Sequence, residues 1–391
     1  MNAATNEVAA VGAHLNEVYP LLPFWPVRGE GVYLEDAAGR RVLDFYGGHA
    51  VAALGYGHPK LSDAIARQSR ELLFQTNALP LKVRDEAAER LAAFGPPSLG
   101  RVFFVNSGAE ANENALRLAF KVTGRSKVVA IEHSFHGRTA AAAAVSWGAG
   151  KSWYGFPRTP MDVAFVPRDD VAALDAAVDA DTAALIVEPV QGLAGAYDFS
   201  PAFMQAARAA CDRHGALLII DEVQTGIGRL GAPFGAQLYG VRPDLLTTAK
   251  GLGGGFPCGA VLMPHTIAAT LKAGALGTTF GGGPLACAAI KTVLEVIDEE
   301  ALLGRVRDVS ATIHETCCVG PVESIRGRGF LLGLKTRPKA AAVRDALLER
   351  DVLTGTSADP HVLRLLPPLI LRVEHVQRLA AALKEIDDAT F

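Results

Sequence analysis

The chain has 391 residues, 50% of them hydrophobic, and a formal net charge of −3 at pH 7. This length and composition predict a globular protein with a large core, and not a minimal binding module. Because Lys and Arg form no runs, we expect no binding to nucleic acid or to an anionic membrane. The five cysteines lack metal-type spacing, and the sequence has neither a signal core nor a membrane-spanning apolar stretch. We therefore expect a cytoplasmic protein with reduced thiols and no bound metal.

The first 55 residues are predicted to form a small lobe or arm. Two short strand-like segments, at 31–36 and 41–45, flank turn residues. Such a pattern is typical of a pair of neighbouring strands. We expect the arm to end near residue 55.

Residues 56–289 are predicted to form the large domain of an α/β protein. The runs at 127–132, 183–188 and 216–221 are nearly all apolar and are flanked by alanine-rich helical stretches. Such strands indicate a mostly parallel sheet that helices cover on both faces. Because ligands of these sheets bind at the carboxyl ends of strands, polar residues there are the first functional candidates.

One of these strand ends has the features of a phosphate-binding site. The apolar run 102–105 precedes Ser107 and Gly108, and helical spacing follows. Free N–H groups at a helix N-terminus, beside a glycine, can bind a phosphate group. Taken alone, a Ser–Gly pair before a helix is more typical of a helix cap.

Two further residues give this pattern a chemical meaning. Asp221 ends an apolar strand, and Lys250 follows the apolar run 245–249 just before several glycines. A lysine amine condenses with an aldehyde to a Schiff base, and a strand-end carboxylate can keep a pyridine nitrogen protonated. Alone, Asp221 could be a strand-end cap and Lys250 a solvated loop residue. Because both residues follow the Ser107–Gly108 segment along the chain, the three features together predict a pyridoxal 5'-phosphate (PLP) site.

Shorter elements alternate in the last part of the chain. A helix is predicted near 284–299, another near 340–350, a strand at 362–366 and a final helix from Glu374. We assign residues 290–391 to a smaller α+β C-terminal domain.

Nine short segments along the chain resemble the motifs of one family. They are YPLLP at 19–23, GYGHP at 55–59, NSGAEAN at 106–112, FHGRT at 135–139, VEPVQG at 187–192, DEVQTG at 221–226, AKG at 249–251, GTTFGG at 277–282 and LRLLPP at 363–368. In this order the sequence resembles the class III, fold-type I PLP aminotransferases, and within them the acetylornithine/succinylornithine branch. The resemblance implies their α/β fold and PLP as the cofactor.

The resemblance also implies roles for individual residues around PLP. Ser107, Gly108 and Ala109 would contact the phosphate, and Phe135 and Val223 would contact the two faces of the ring. Asp221 would bind the ring nitrogen, and Gln224 would bind the phenolic oxygen. Lys250 would bind the cofactor covalently and then move the substrate proton. Thr279 would reach the phosphate of the other subunit, which implies a homodimer with shared active sites.

The same resemblance implies how the substrates are held. Arg138 and Arg364 would each pair with a substrate carboxylate in a two-pronged geometry. Glu188 is assigned to the catalytic residues, together with Lys250 and Asp221. It would form an ion pair with Arg364 when glutamate is absent. A static salt bridge between strands is the alternative for that pair.

Three more residues are assigned to substrate binding, namely Thr278, Tyr19 and His49. His49 stands where related enzymes have aliphatic residues or tyrosine. Its ring could hydrogen-bond an acyl carbonyl or a second carboxylate, or it could be an ordinary core histidine.

These features predict an N-acylornithine aminotransferase of arginine biosynthesis that uses 2-oxoglutarate and glutamate. Whether the acyl group is acetyl or succinyl stays open. One alternative is a broader ω-aminotransferase that acts on ornithine, 4-aminobutyrate or a lysine-pathway amine. A PLP lyase or aminomutase is a second alternative, because a PLP site alone does not select the reaction.

Overall fold

A seven-stranded sheet forms the centre of the protein, which a computed structural model describes over residues 14–386. In spatial order the strands are Arg101–Val105, Gly259–Met263, Leu245–Thr248, Leu217–Asp221, Thr182–Val187, Lys127–Ile131 and Asp162–Val166. Gly259–Met263 runs antiparallel to both of its neighbours, and the other neighbouring pairs are parallel. The predicted mostly parallel sheet is therefore confirmed.

Helices cover both faces of this sheet, because its strands are apolar on both sides and form hydrophobic clusters with the flanking helices. The longer helices of this part are Pro59–Glu71, Lys82–Phe94, Gly108–Thr123, Val171–Ala177, Pro201–His214 and Pro284–Glu299. Short helical turns lie at Gly47–Ala50, Ala140–Ala144, Ala149–Ser152, Gly235–Leu238, Lys250–Gly253 and His265–Ala268, and two-residue strands at Val190–Gln191 and Tyr197–Asp198. The predicted α/β fold class is confirmed.

The N-terminal segment forms its own small sheet, built from Pro26–Glu30, Tyr33–Asp36 and Arg41–Asp44. This confirms the two predicted strands and adds a third. Val352–Leu353 pairs in parallel with Arg41–Asp44, so the sheet joins the two ends of the chain. The boundaries at 55 and 289 stay a prediction, and residues 1–13 and 387–391 lie outside the described part.

The C-terminal part contains a second small antiparallel sheet and three helices. Its strands are Val322–Arg328, Leu331–Thr336, Val362–Leu365 and Gly355–Thr356, and its helices are Leu302–Thr316, Ala340–Glu349 and Val373–Lys384. The elements predicted near 340–350, at 362–366 and from Glu374 are confirmed. Within the described range, no helix combines the length and the apolar character that a bilayer crossing requires.

The register of the central sheet brings the candidate residues together. Asp221, the last residue of its strand, lies opposite Thr247, which is three positions before Lys250. Glu188 follows directly after the neighbouring strand Thr182–Val187. Because these strands are parallel, their carboxyl ends meet at one edge of the sheet.

Candidate active site

A cavity of about 770 Å³ opens at this edge of the sheet. Most of the site residues predicted from the sequence line it: Tyr19, His49, Ser107, Gly108, Ala109, Phe135, Arg138, Glu188, Asp221, Val223, Gln224, Lys250 and Arg364. They come from all parts of the chain. The cavity is therefore the candidate active site.

Asp221 is the centre of a buried hydrogen-bond network. Its Oδ2 accepts hydrogen bonds from Asn112 Nδ2 and His136 Nδ1, each at 2.7 Å, and its Oδ1 accepts one from the Val223 N–H at 3.0 Å. The Thr247 hydroxyl donates to Asn112 Oδ1 at 2.7 Å, which fixes the orientation of the amide. These bonds hold the carboxylate rigidly at the floor of the cavity.

The helix Gly108–Thr123 points its N-terminus at the cavity. Ser107 caps it by accepting a hydrogen bond from the Glu110 N–H, and the Glu110 carboxylate accepts bonds from the backbone and side chain of Asn106. The first N–H groups, at Gly108 and Ala109, have no acceptor within the helix. A Cβ at Gly108 would lie 2.6 Å from Val223 Cγ1, so a larger residue would displace the Val223 side chain. This geometry suits an anion such as a phosphate group.

Lys250 lies opposite, with its backbone in the left-handed region at φ 45°. No hydrogen bond or ion pair within the described chain engages its amine. Burial lowers the pKa of Lys250, and Arg364 adds to this effect, while Asp221 and Glu188 oppose it. A lowered pKa leaves the amine more available as a nucleophile or base.

Glu188 and Arg364 have separate partners. Glu188 Oε1 accepts a hydrogen bond from the Phe135 N–H at 2.9 Å, and burial raises the pKa of its carboxyl to about 7. Arg364 donates to the Thr356 carbonyl at 2.7 Å and to the Tyr46 hydroxyl at 3.0 Å. Both residues belong to the described part of the chain, and no ion pair within 4.0 Å joins them. The predicted Glu188–Arg364 pair is thus absent from this structure, because each side chain is held elsewhere.

The mouth of the cavity is formed by more exposed side chains. Arg138 is exposed, and its guanidinium lies 5.2 Å from the centre of the Trp153 ring. The His49 ring lies 5.6 Å from that of Tyr19 and 4.8 Å from that of Tyr46. Burial, with the charges of Arg364 and Lys250, lowers the pKa of His49 to about 4. His49 therefore faces the cavity as a neutral ring and is not a core histidine.

Thr278 and Thr279 do not line the cavity of their own chain. The Thr278 hydroxyl accepts hydrogen bonds from Asn106 Nδ2 at 3.3 Å and from the Gly281 N–H at 3.1 Å. Thr279 is exposed. Thr278 therefore lies next to the cavity through the cavity-lining Asn106, although neither threonine lines the cavity itself.

Among the cavity-lining residues that were not assigned a role from the sequence, Asn112, His136 and Tyr46 make hydrogen bonds to Asp221 or Arg364. Asn112 was detectable, because it stands four positions after Gly108 and so shares the helix face that meets the sheet. His136 neighbours Phe135, but its sequence position does not show that its ring turns toward Asp221. Tyr46 depends on a backbone turn that the sequence does not reveal.

Comparison with known families decides the class of this site. The model of the family "Aminotransferase class-III" matches residues 15–386. The chain is a class-III aminotransferase. A curated acetylornithine aminotransferase from Streptomyces coelicolor is similar to it, with 45% identity over 375 residues that cover 94% of this chain and 92% of that protein.

Solved structures of other aminotransferases resemble the present aminotransferase over nearly the whole chain. An ornithine aminotransferase from Toxoplasma gondii, described as holding PLP at partial occupancy, has a TM-score of 0.92 at 29% identity, covering 99% of this chain and 96% of that one. An acetylornithine aminotransferase from Elizabethkingia anophelis has a TM-score of 0.87 at 30% identity, covering 99% and 100%.

The cofactor of this aminotransferase is PLP, and the residues present fit it. The free N–H groups at the helix N-terminus suit the phosphate, and the Lys250 amine, which has no partner within the described chain, suits the aldehyde. When bound, PLP supplies an electron sink that stabilises negative charge on the substrate carbon.

Proposed function

We propose that the enzyme is an N-acylornithine aminotransferase of arginine biosynthesis. It transfers the δ-amino group of N-acetyl- or N-succinylornithine to 2-oxoglutarate, which gives the acylglutamate semialdehyde and glutamate. The reverse direction uses glutamate as the amino donor. The similar protein from Streptomyces coelicolor is named an acetylornithine aminotransferase, which supports this substrate class.

The distribution of charge in the cavity carries the proposal. Two arginines, Arg138 and Arg364, face it, whereas Asp221 and Glu188 are the only carboxylates that line it among residues 14–386. Both carboxylates are buried and hydrogen-bonded, so neither is free to pair with the α-ammonium group of unmodified ornithine. Acylation removes that positive charge, and a neutral His49 at the mouth suits an uncharged amide.

The proposed roles follow the chemistry of each side chain. Lys250 binds PLP covalently and then carries the proton at the substrate carbon. Asp221 binds the ring nitrogen. The negative charge of Glu188 favours the protonated form of the Lys250 amine. Arg138 pairs with the carboxylate of either substrate, and Arg364 pairs with the second carboxylate of glutamate.

The other proposed contacts surround the cofactor and the substrate. They come from Ser107, Gly108, Ala109, Phe135, Val223 and Gln224 to PLP, and from Tyr19, His49 and Thr278 to the substrate. We further propose a cytoplasmic enzyme, since its five cysteines are all free thiols.

A spectral assay of single half-reactions tests the proposal. The purified PLP form is mixed separately with N-acetylornithine, N-succinylornithine, ornithine and 4-aminobutyrate, and conversion to the pyridoxamine form is followed. We expect one acylated ornithine to react fast and free ornithine to react far more slowly. The preferred compound identifies the acyl group. If no amine converts the cofactor, the lyase and aminomutase alternatives gain support.

Free ornithine is the second candidate substrate. The observation in its favour is the overall similarity to the Toxoplasma gondii ornithine aminotransferase. In the same assay, ornithine that reacts as fast as the acylated compounds would establish this alternative.

We also propose a homodimer in which Thr279 reaches the partner's PLP. An exposed apolar patch beside Thr279 supports this, formed by Leu72, Leu73, Phe74, Leu79 and Phe280. The Phe74 and Phe280 rings lie 5.3 Å apart, so the patch is continuous there. We expect Phe280→Asp to shift the protein toward monomers in analytical ultracentrifugation and to lower its affinity for PLP. A monomeric parent protein would contradict the proposal.

A further inference from the structure

Residues Gly47–Ala50 form one turn of left-handed helix beside the cavity. The φ angles of Gly47, Gly48, His49 and Ala50 are 54°, 55°, 66° and 69°. Residues other than glycine rarely adopt this region, and hardly ever in succession. Such a backbone persists only where its surroundings hold it, and it is common at functional sites.

Asp44 holds the beginning of the turn. Its carboxylate is completely buried and accepts hydrogen bonds from the Tyr46 N–H at 2.6 Å and from the Gly47 N–H at 3.0 Å. The hydroxyl of Tyr56 donates a third hydrogen bond. Burial raises the pKa of Asp44, while these donors and Arg229 oppose the shift. Three donors that meet at one side chain require an acceptor with two oxygens.

Arg229 holds the end of the turn. Its buried guanidinium donates to the carbonyls of Pro367, Phe330 and Ala50, the last two at 3.4 and 3.5 Å. Burial lowers the pKa of Arg229 to about 9, and the charge of Asp44 opposes this effect. Neither Asp44 nor Arg229 lines the cavity. Both therefore act on the active site through the residues that they bond, and both bond the turn.

The turn presents Tyr46 to the substrate-binding arginine. A Cβ at Gly355 would lie 1.8 Å from the Tyr46 ring, so the ring packs directly against that backbone. The Tyr46 hydroxyl accepts the hydrogen bond from Arg364 Nη2. In the described chain it is the only side chain that bonds the Arg364 guanidinium, whose other partner is the Thr356 carbonyl.

We propose that Asp44 and Arg229, through the left-handed turn, position Tyr46, and that Tyr46 fixes the guanidinium of Arg364 for the second carboxylate of glutamate and 2-oxoglutarate. This inference deepens the proposed function and rests on it. It makes Asp44, Arg229 and Tyr46 positioning residues for one of the two half-reactions. The acylated substrate, which we assign to Arg138, does not depend on them to the same extent.

Tyr46→Phe tests the last step of this chain, because it removes the hydroxyl and keeps the ring. Each half-reaction is measured by rapid mixing of the PLP holoenzyme with glutamate or with N-acetylornithine. We expect the Kd of glutamate to rise roughly tenfold, as for loss of a hydrogen bond to a charged group. The limiting rate and the N-acetylornithine half-reaction should stay within about threefold of the parent values. The control is Tyr154→Phe, whose hydroxyl donates to the Arg158 carbonyl outside the cavity.

Asp44→Asn tests the earlier step, because an amide offers one acceptor oxygen to three donors. We expect it to weaken glutamate binding at least as much as Tyr46→Phe. If Asp44 acts through Tyr46, the double variant binds glutamate no more weakly than Asp44→Asn alone. Additive losses would show that the two residues act separately and would overturn the inference. If Asp44→Asn does not fold, Tyr46→Phe still decides whether the Tyr46 hydroxyl positions Arg364, and Tyr56→Phe, which removes one donor to Asp44, tests the earlier step.

Arg364→Ala separates this inference from the proposed function. If Arg364→Ala weakens glutamate binding and Tyr46→Phe does not, Arg364 keeps its role and the positioning inference is wrong. An equal loss for both substrates in Tyr46→Phe also overturns it. If Arg364→Ala leaves glutamate binding intact, the proposed role of Arg364 and the inference fail together.

Discussion

The floor and the mouth of the active-site cavity are built in different ways. At the floor, Asp221 ends a strand of the central sheet and accepts three hydrogen bonds, from Asn112, His136 and the Val223 N–H. At the mouth, Arg138 is exposed and rests on a single aromatic ring, and Tyr19 is 54% exposed. The floor suits chemistry that every substrate shares, while the mouth suits the choice between substrates.

This difference has an energetic consequence. A buried polar network is costly to leave partly unpaired, so a change at the floor affects stability and catalysis together. Exposed charged groups contribute little to folding, so a change at the mouth affects substrate binding almost alone. Four substitutions test this contrast.

The largest effect is expected at the floor from Lys250→Ala. Without the amine, the covalent link to PLP and the proton carrier are both lost, so kcat should fall by roughly 10⁴-fold or more. The measurement is steady-state activity, with absorbance spectra to follow the bound cofactor. A variant that retains a tenth of the parent activity would remove Lys250 from the proposed chemistry.

Asn112→Ala tests whether the network around Asp221 supports both catalysis and folding. It leaves the Thr247 hydroxyl without its partner and removes one of the two hydrogen bonds to Asp221 Oδ2. We expect kcat to fall by roughly 10²-fold and the free energy of unfolding by about 1–3 kcal/mol. Kinetics and urea unfolding measure the two effects. The control, Asn114→Ala, loses a bond within its own helix and should spare kcat.

Arg138→Lys tests the mouth. Lysine cannot make the two-pronged contact with a carboxylate, so we expect KM for both substrates to rise roughly tenfold. Because Arg138 is exposed, the urea midpoint should not change. Arg117→Lys, on an exposed helix face, serves as the control. A loss of stability in Arg138→Lys would contradict the contrast between floor and mouth.

Glu222→Gln should have the smallest effect on activity, because it lies behind Asp221 and does not line the cavity. Burial raises the pKa of its carboxyl from 4.5 to about 7. Between these values the folded state keeps a proton that the unfolded state has released, so stability falls as pH rises through this window.

Glutamine mimics the protonated acid and removes this contribution of Glu222. We therefore expect the free energy of unfolding, measured with urea, to fall less between pH 5 and pH 8 in Glu222→Gln than in the parent protein. Some pH dependence should remain, because the pKa of Glu188 is raised in the same direction. The exposed Glu89→Gln is the control. If the free energy of unfolding changes with pH equally in Glu222→Gln and in the parent protein, Glu222 does not hold a buried proton.

The places of Asp221 and Gly108 at the floor could be predicted from the sequence, whereas the side-chain contacts at the mouth could not. Asp221 and Gly108 follow apolar strands of one mostly parallel sheet, and such strand ends converge by the geometry of the fold. The contacts of Tyr46 and His49 depend instead on a left-handed turn, for which two glycines are only a weak signal. The partners of Glu188 and Arg364 depend on side-chain choices that strand periodicity does not contain.

The small sheet that joins both ends of the chain constrains the order of folding. The N–H groups of Leu43 and Phe45 donate to the carbonyls of Asp351 and Leu353, each at 2.9 Å. During synthesis, more than three hundred further residues must therefore be added before the edge of the strand Arg41–Asp44 can be paired. Until then the strand Arg41–Asp44, and Asp44 with it, presents an open edge to other chains. Nascent or truncated chains that end before residue 352 should thus be the forms most prone to aggregate.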